Sequence, residues 1–243
     1  MSNLLVHEEP VDGLLYVEFT LPVEGEEVPG MLYLPADADE PVPLVLIQHP
    51  ATSSKDDYFV AEPARLWAAH GWACGGIDAP FHGDRSEYDP MRILGNREAL
   101  REAGARFRRE LSAVVDALLE RYPIDAGRLG YVGYSLGSML GIPAVAEDGR
   151  FRAAAFCLVG EGGLVGTAEG PESVIPKLAN TAVRIVAKLQ DELIPREATE
   201  RLYAALPGEK DIVWLPGGHF EIGPDVIRAA EQWMRRWLDR PAR

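Results

Sequence analysis

The order of hydrophobic and polar positions along the chain predicts strands first, and then strands alternating with helices. Eight segments have strand-like patterns, at 14–21, 28–35, 43–50, 72–80, 128–134, 152–160, 182–189 and 210–216. Helical periodicity lies between or after the later ones, at 61–70, 107–122, 135–146, 196–206 and 226–238. This order predicts a doubly wound α/β fold, with a mostly parallel sheet and helices on both faces.

Composition supports a single acidic domain over residues 1–243. The chain is 47% hydrophobic, which is enough for one sizeable core. Its formal net charge of −14 would repel nucleic acid phosphates and anionic membranes, so we expect neither as a partner. Cys74 and Cys157 lie in apolar strand-like segments, where free core thiols are expected. We expect no metal site and no cofactor.

Targeting signals are absent from the sequence pattern. The first 13 residues lack the basic and apolar regions of a signal peptide. No apolar run approaches the roughly 20 residues that a membrane-spanning helix needs. The expectation is a reduced, cytoplasmic protein.

Ser135 lies between two glycines where a predicted strand gives way to a helix, in the segment Tyr131–Gly137. A sharp strand-to-helix turn exposes a serine hydroxyl at the edge of a sheet, and glycines at 133 and 137 would prevent crowding there. The N–H of Leu136, at the start of the helix, could stabilise an oxyanion. The alternative is a tight turn that only requires small residues.

A base and a carboxylate follow two other predicted strands. His219 comes just after the last strand, and Asp191 directly follows the strand at 182–189. Since ligands bind beyond the carboxyl ends of parallel strands, we expect Ser135, His219 and Asp191 to meet as nucleophile, base and orienting acid. Taken alone, Asp191 could be a helix cap. Glu192 is expected to point elsewhere, and His82 to have a structural role in its turn or in the pocket wall.

Four motifs resemble the α/β-hydrolase superfamily over nearly the whole chain. They are Gly-Tyr-Ser-Leu-Gly at 133–137, Asp-Glu-Leu-Ile-Pro at 191–195, Gly-Gly-His at 217–219 and Asp-Ala-Pro-Phe-His-Gly at 78–83. Within it, the chain is most similar to the small dienelactone-hydrolase-like and cinnamoyl-esterase-like enzymes. The resemblance implies an eight-stranded sheet with an antiparallel second strand. It also implies a serine esterase that forms an acyl-enzyme and needs only a small ester substrate and water.

The segment at 48–58 is similar to the oxyanion loop of these enzymes, with Ala51 offering the second backbone N–H. Pro50 stands where a glycine is usual, which affects the geometry of the loop more than the donor itself. The candidate pocket residues are His49, His82, Tyr134, Trp214 and Phe220, although aromatic residues are also ordinary core residues.

Residues 84–106 are long for a strand–helix connection, and we expect either a small partial cap or an extended surface helix. The short, glycine-rich segment at 160–181 predicts a minimal lid. Two alternative functions remain open: a peptidase or amidase of the same fold, and a ligand-binding protein that keeps Ser135, Asp191 and His219. A homodimer is also possible.

Overall fold

A nine-stranded sheet forms the centre of the protein in this computed structural model, which describes residues 3–85, 96–161 and 174–240. The strands lie in the order β1-β2-β3-β5-β4-β6-β7-β8-β9. Their bounds are β1 Leu5–Val11, β2 Leu14–Val23, β3 Glu26–Pro35, β4 Val42–Gln48, β5 Ala73–Ile77, β6 Ile124–Tyr134, β7 Phe151–Cys157, β8 Ala182–Lys188 and β9 Lys210–Leu215. Strand β3 is antiparallel to both of its neighbours, and β4 to β9 are parallel, as the resemblance implied.

The predicted count of eight strands was wrong, because an additional edge strand precedes them. Strand β1 pairs antiparallel with β2 along its whole length, from Leu5 opposite Thr20 to Val11 opposite Leu14. Most of its side chains are exposed, so it carries no alternating apolar pattern. Main-chain hydrogen bonds to β2 hold it in the sheet, and residue types do not report such bonds.

Within the described residues, five α-helices cover the two faces of the sheet: α1 Tyr58–Ala68, α2 Arg97–Arg121, α3 Leu136–Asp148, α4 Arg196–Ala205 and α5 Pro224–Leu238. Helices α1 and α5 bury Trp67 and Trp233 in the core on one face. Helices α2 and α3 bury Phe107 and Ile142 in the core on the other. The doubly wound arrangement predicted from the sequence is therefore confirmed.

The predicted cap at 84–106 falls partly on described residues. Residues 97–106 are the first turns of the 25-residue helix α2, with Leu100 and Ala103 buried in the core. The Asn96 side chain caps this helix by accepting hydrogen bonds from the N–H groups of Glu98 and Ala99. Residues 86–95, which carry the rest of the cap prediction, lie outside the described residues, as do residues 162–173 of the predicted minimal lid.

Among the described helices, none combines the length and the apolar character required to span a membrane.

Candidate active site

Ser135 occupies a strained turn between β6 and α3. Its backbone has φ 49° and ψ −108°, a conformation that L-residues rarely adopt and that costs on the order of 1–3 kcal/mol. Its N–H donates to the carbonyl of Cys157 at 2.9 Å, and its carbonyl accepts from the N–H groups of Ser138 and Met139. Hydrogen bonds on both sides hold the strained residue in place.

The glycines flanking this turn are required by close approach. A Cβ atom at Gly133 would lie 2.6 Å from the carbonyl group of Gly137, and one at Gly137 would lie 2.4 Å from the carbonyl oxygen of Gln48. These neighbours are backbone atoms that cannot easily give way. The crowding predicted from the sequence is confirmed, and the end of β4 packs directly against the first turn of α3.

The structure brings Ser135, His219 and Asp191 into one hydrogen-bonded chain. The Ser135 hydroxyl lies 2.8 Å from His219 Nε2, and His219 Nδ1 lies 2.9 and 3.0 Å from the two Asp191 carboxylate oxygens. With the ring proton on Nδ1, the imidazole donates to Asp191 and Nε2 can accept the hydroxyl proton. These side chains follow β6, β9 and β8, three strands of the parallel part of the sheet, with β7 lying between β6 and β8.

Hydrogen bonds keep Asp191 ionised. Burial by itself would raise the pKa of this carboxyl. The hydrogen bond from His219 and those from the N–H groups of Ile194 and Leu193 outweigh burial, so the pKa is lowered. Asp191 therefore presents a negative charge to the imidazole, and it also caps the turn after β8. The helix-cap alternative was wrong, because α4 begins at Arg196 with Pro195 as its N-cap, and the N–H groups that Asp191 accepts from precede the helix.

The expectation that Glu192 points elsewhere was wrong. Its carboxylate accepts a hydrogen bond from the backbone N–H of His219 at 2.8 Å. Sequence reasoning missed this contact because a glutamate next to an aspartate carries no signal of its direction. The adjacent glycines at 217 and 218 were the available signal, since their missing side chains leave room for an acceptor.

Ala51 and Leu136 lie on two segments that pack against each other beside Ser135. Leu136 is the first residue of α3, and Ala51 follows the strand end whose carbonyl groups contact Gly137. Neither N–H donates to another residue in the described part of the chain. That these two N–H groups act as oxyanion donors stays a prediction.

The loop that carries Ala51 is anchored by a buried cation. Lys55 is 2% exposed, and its ammonium group pairs with Asp56, Asp78 and Asp84. The Asp78 carboxylate also accepts from the N–H groups of Lys55 and Asp84, at 2.8 and 3.0 Å. Asp78 therefore joins the loop after β4 to the loop after β5. Lys55 and Asp78 occur in the motifs quoted above, but their contact could not be predicted from the sequence.

Three predicted pocket residues are instead buried. His49, His82 and Tyr134 have no exposed surface. Tyr134 packs edge-on against Phe59 in the core, because alternation along β6 turns its side chain away from the turn at Ser135. The prediction that these three residues line the pocket was therefore wrong, because their side chains are buried in the protein interior.

The other two pocket candidates keep part of their surface exposed. Trp214 is half-buried beneath the Arg196 guanidinium, whose carbon lies 4.7 Å from the ring centre. Phe220 is 76% exposed, with its ring centre 5.6 Å from that of His219. Phe220 therefore contacts His219, a residue of the hydrogen-bonded chain.

No group of three or more metal-binding side chains occurs within residues 3–85, 96–161 and 174–240.

The sequence was compared with protein families and with curated proteins. No protein-family model matches the chain. The chain is 27% identical over 172 residues to hydrolase acrC of Aspergillus aculeatus, a match that covers 64% of this chain and 38% of that protein. The chain thus spans well under half of the length of this curated relative.

Solved structures match more completely. A cold-adapted esterase from an Arctic intertidal metagenomic library superposes with a TM-score of 0.78 at 24% identity, covering 95% of this chain and 97% of that chain. An acetyl xylan esterase from Paenibacillus sp. R4 superposes with a TM-score of 0.77 at 18% identity, covering 98% of this chain and 90% of that chain. The chain therefore has the α/β-hydrolase fold of these esterases.

Proposed function

We propose that the protein is a serine hydrolase that cleaves small carboxylic esters through an acyl-enzyme. The observation that carries this proposal is the chain from the Ser135 hydroxyl through His219 to Asp191, with contacts of 2.8 to 3.0 Å. A hydroxyl is a weak nucleophile without an adjacent base, and here the base is in contact with it and held by an ionised carboxylate. The esterase names of the structural neighbours support the choice of ester.

In the first half-reaction, Ser135 Oγ attacks the ester carbonyl carbon while His219 Nε2 takes the hydroxyl proton. The N–H groups of Ala51 and Leu136 would hold the developing oxyanion. The C–O bond to the alcohol then breaks, and His219 returns its proton to the departing alkoxide. The products are the alcohol and an ester of Ser135.

In the second half-reaction, a water molecule replaces the alcohol. His219 takes a proton from the water as its oxygen attacks the acyl carbon. The bond to Ser135 Oγ breaks, His219 returns the proton to Oγ, and the carboxylic acid leaves. Asp191 remains ionised throughout and stabilises the imidazolium that forms twice in each cycle.

Covalent labelling tests the proposal directly. We expect a serine-reactive fluorophosphonate to add one phosphonyl group, detected by intact mass, and Ser135→Ala to abolish the adduct.

Asp191→Asn should lower kcat for p-nitrophenyl acetate by about 10³- to 10⁴-fold, because the wrong imidazole tautomer is then favoured. Faster cleavage of p-nitrophenyl dodecanoate than of the acetate would contradict the proposed preference for small esters. A folded protein without an adduct would favour the ligand-binding alternative, and preferential cleavage of anilides would favour an amidase.

A further inference from the structure

Three successive backbone N–H groups in the loop that carries His219 each donate a hydrogen bond to a side chain. Gly217 donates to Gln190 Oε1 at 2.7 Å, Gly218 to Glu221 Oε1 at 2.8 Å, and His219 to Glu192 Oε2 at 2.8 Å. Gln190 also donates its own N–H to the carbonyl of Gly217 at 3.0 Å. Side chains of the loop after β8 thus hold the loop after β9.

Glu192 is the member of this set that acts on His219 itself. Its neighbour Asp191 binds the imidazole ring, and Glu192 binds the main chain of the same histidine. Two adjacent carboxylates therefore hold one residue at its ring and at its backbone. A hydrogen bond from an N–H to a carboxylate is stronger than one between neutral groups.

The absence of a side chain at Gly218 leaves room for the Glu192 carboxylate. A Cβ atom at Gly218 would lie 2.6 Å from Glu192 Oε2 and 3.3 Å from the carboxylate carbon. The atom in the way is the end of a flexible side chain, so alanine at 218 would displace Glu192 rather than disrupt the fold. The second glycine of Gly-Gly-His therefore provides the space in which the Glu192 carboxylate reaches the backbone N–H of His219.

We infer that Glu192 is a positioning residue that fixes the backbone of His219 so that Nε2 stays on the Ser135 hydroxyl. This inference rests on the proposed function, because it assigns Glu192 a role only through the base. Glu192 acts as a hydrogen-bond acceptor and does not touch substrate. Its loss should therefore affect the chemical step and leave substrate binding nearly unchanged.

The experiment compares Glu192→Ala, Glu192→Gln and wild-type protein in p-nitrophenyl acetate hydrolysis. We expect Glu192→Ala to lower kcat roughly tenfold with KM within about twofold, less than the 10²-fold that a 1 Å misplacement can cost. The rate of fluorophosphonate labelling should fall by the same factor, because labelling uses the same base. Glutamine keeps an acceptor oxygen, so Glu192→Gln should recover most of both rates.

Gly218→Ala supplies an independent disturbance of the same contact. It should lower kcat about as much as Glu192→Ala, and the double variant should be no worse than either single variant, because both remove one hydrogen bond. Glu197→Ala is the matched control, since Glu197 is an exposed glutamate at the start of α4. Thermal unfolding of each variant would identify any loss that comes from unfolding.

The results separate this inference from the proposed function. Wild-type protein that is neither labelled nor active would overturn the proposed function. An active wild type with an equally active Glu192→Ala would overturn only the positioning role. Glutamine as harmful as alanine would also overturn it, since charge rather than hydrogen-bond acceptance would then be needed. Additive losses in the double variant would show that Gly218 and Glu192 act separately.

Discussion

Single residues of the same type have very different surroundings in this protein, and the histidines show this best. His219 has its two ring nitrogens on Ser135 and Asp191. His49 is fully buried, with Nδ1 donating to the Pro50 carbonyl at 2.7 Å and Nε2 accepting from the Ala79 N–H at 3.0 Å. Burial lowers the pKa of His49 to about 3, although the hydrogen bond to Pro50 opposes this. His49 therefore acts as a neutral link between β4 and β5.

We predict that His49 stays neutral at pH 5 in the folded protein. Its pKa is depressed from about 6.5 in the unfolded chain to about 3, so the unfolded state binds more protons between these values. The stability that neutral His49 contributes is present above about pH 6.5 and is lost as the pH falls toward 3. Burial also lowers the pKa of the neighbouring His82.

Ring nitrogen NMR signals at pH 7 and 5 provide the measurement. We expect no protonation of His49 in this range, while the free energy of unfolding in urea falls on acidification. The other groups facing His49 are His82, Asp57 and Lys55. A His49 titration with a midpoint above pH 5 would show that the ring is less enclosed than the structure indicates.

Elements of this fold meet at the turn between β6 and α3, where backbone approaches backbone. Gly137 lies against the carbonyl groups of Gln48 and His49, so the end of β4 and the start of α3 have no space between them. The same contact places the N–H groups of Ala51 and Leu136 on neighbouring segments. The packing of β4 against α3 and the proposed oxyanion site therefore both depend on the absence of a side chain at Gly137.

We predict that Gly137→Ala destabilises the protein by about 1–3 kcal/mol and lowers labelling of Ser135, because its Cβ would contact backbone atoms. Gly104→Ala is the matched control, since a Cβ at Gly104 in α2 meets nothing within 4 Å. That change should stabilise the protein by about 0.5–1 kcal/mol. Urea unfolding of both variants is the measurement. Equal stabilities would mean that β4 can move away from the turn.

The whole molecule carries a formal net charge of −14, and carboxylates are frequent near the site. Asp191, Glu192 and Glu221 all lie on the two loops that hold His219. Such a charge repels anionic substrates at distances that salt can screen. The field of the molecule should therefore contribute to the choice among esters of similar size.

We predict that kcat/KM is lower for an anionic ester than for a neutral one of similar size and leaving group, and that added salt narrows the difference. The comparison of p-nitrophenyl acetate with p-nitrophenyl hemisuccinate at about 10 and 300 mM NaCl measures this. The neutral ester is the internal control, because its rate should change little. An anionic ester that is preferred at low salt would contradict the prediction and indicate a local cation.

Local patterns predicted most elements, whereas contacts between distant residues escaped them. Apolar patterns found β2 to β9, because the side chains of these strands are mostly buried or half-buried and burial selects residue types. They missed β1, whose side chains are exposed and whose stability comes from main-chain pairing. The direction of Tyr134 was also missed, since a one-residue step along a strand turns a side chain to the other face.

What the sequence by itself determined is the order of elements, and therefore which residues follow the carboxyl ends of strands. That order was enough to select Ser135, Asp191 and His219, because parallel strands end at one edge of a sheet. Only the tertiary structure decided which atoms meet there: Asp191 on the ring of His219, Glu192 on its backbone, and Lys55 on Asp78. The physical reason is that hydrogen bonds between loops depend on side-chain directions set by packing across the whole sheet, and short stretches of sequence do not contain them.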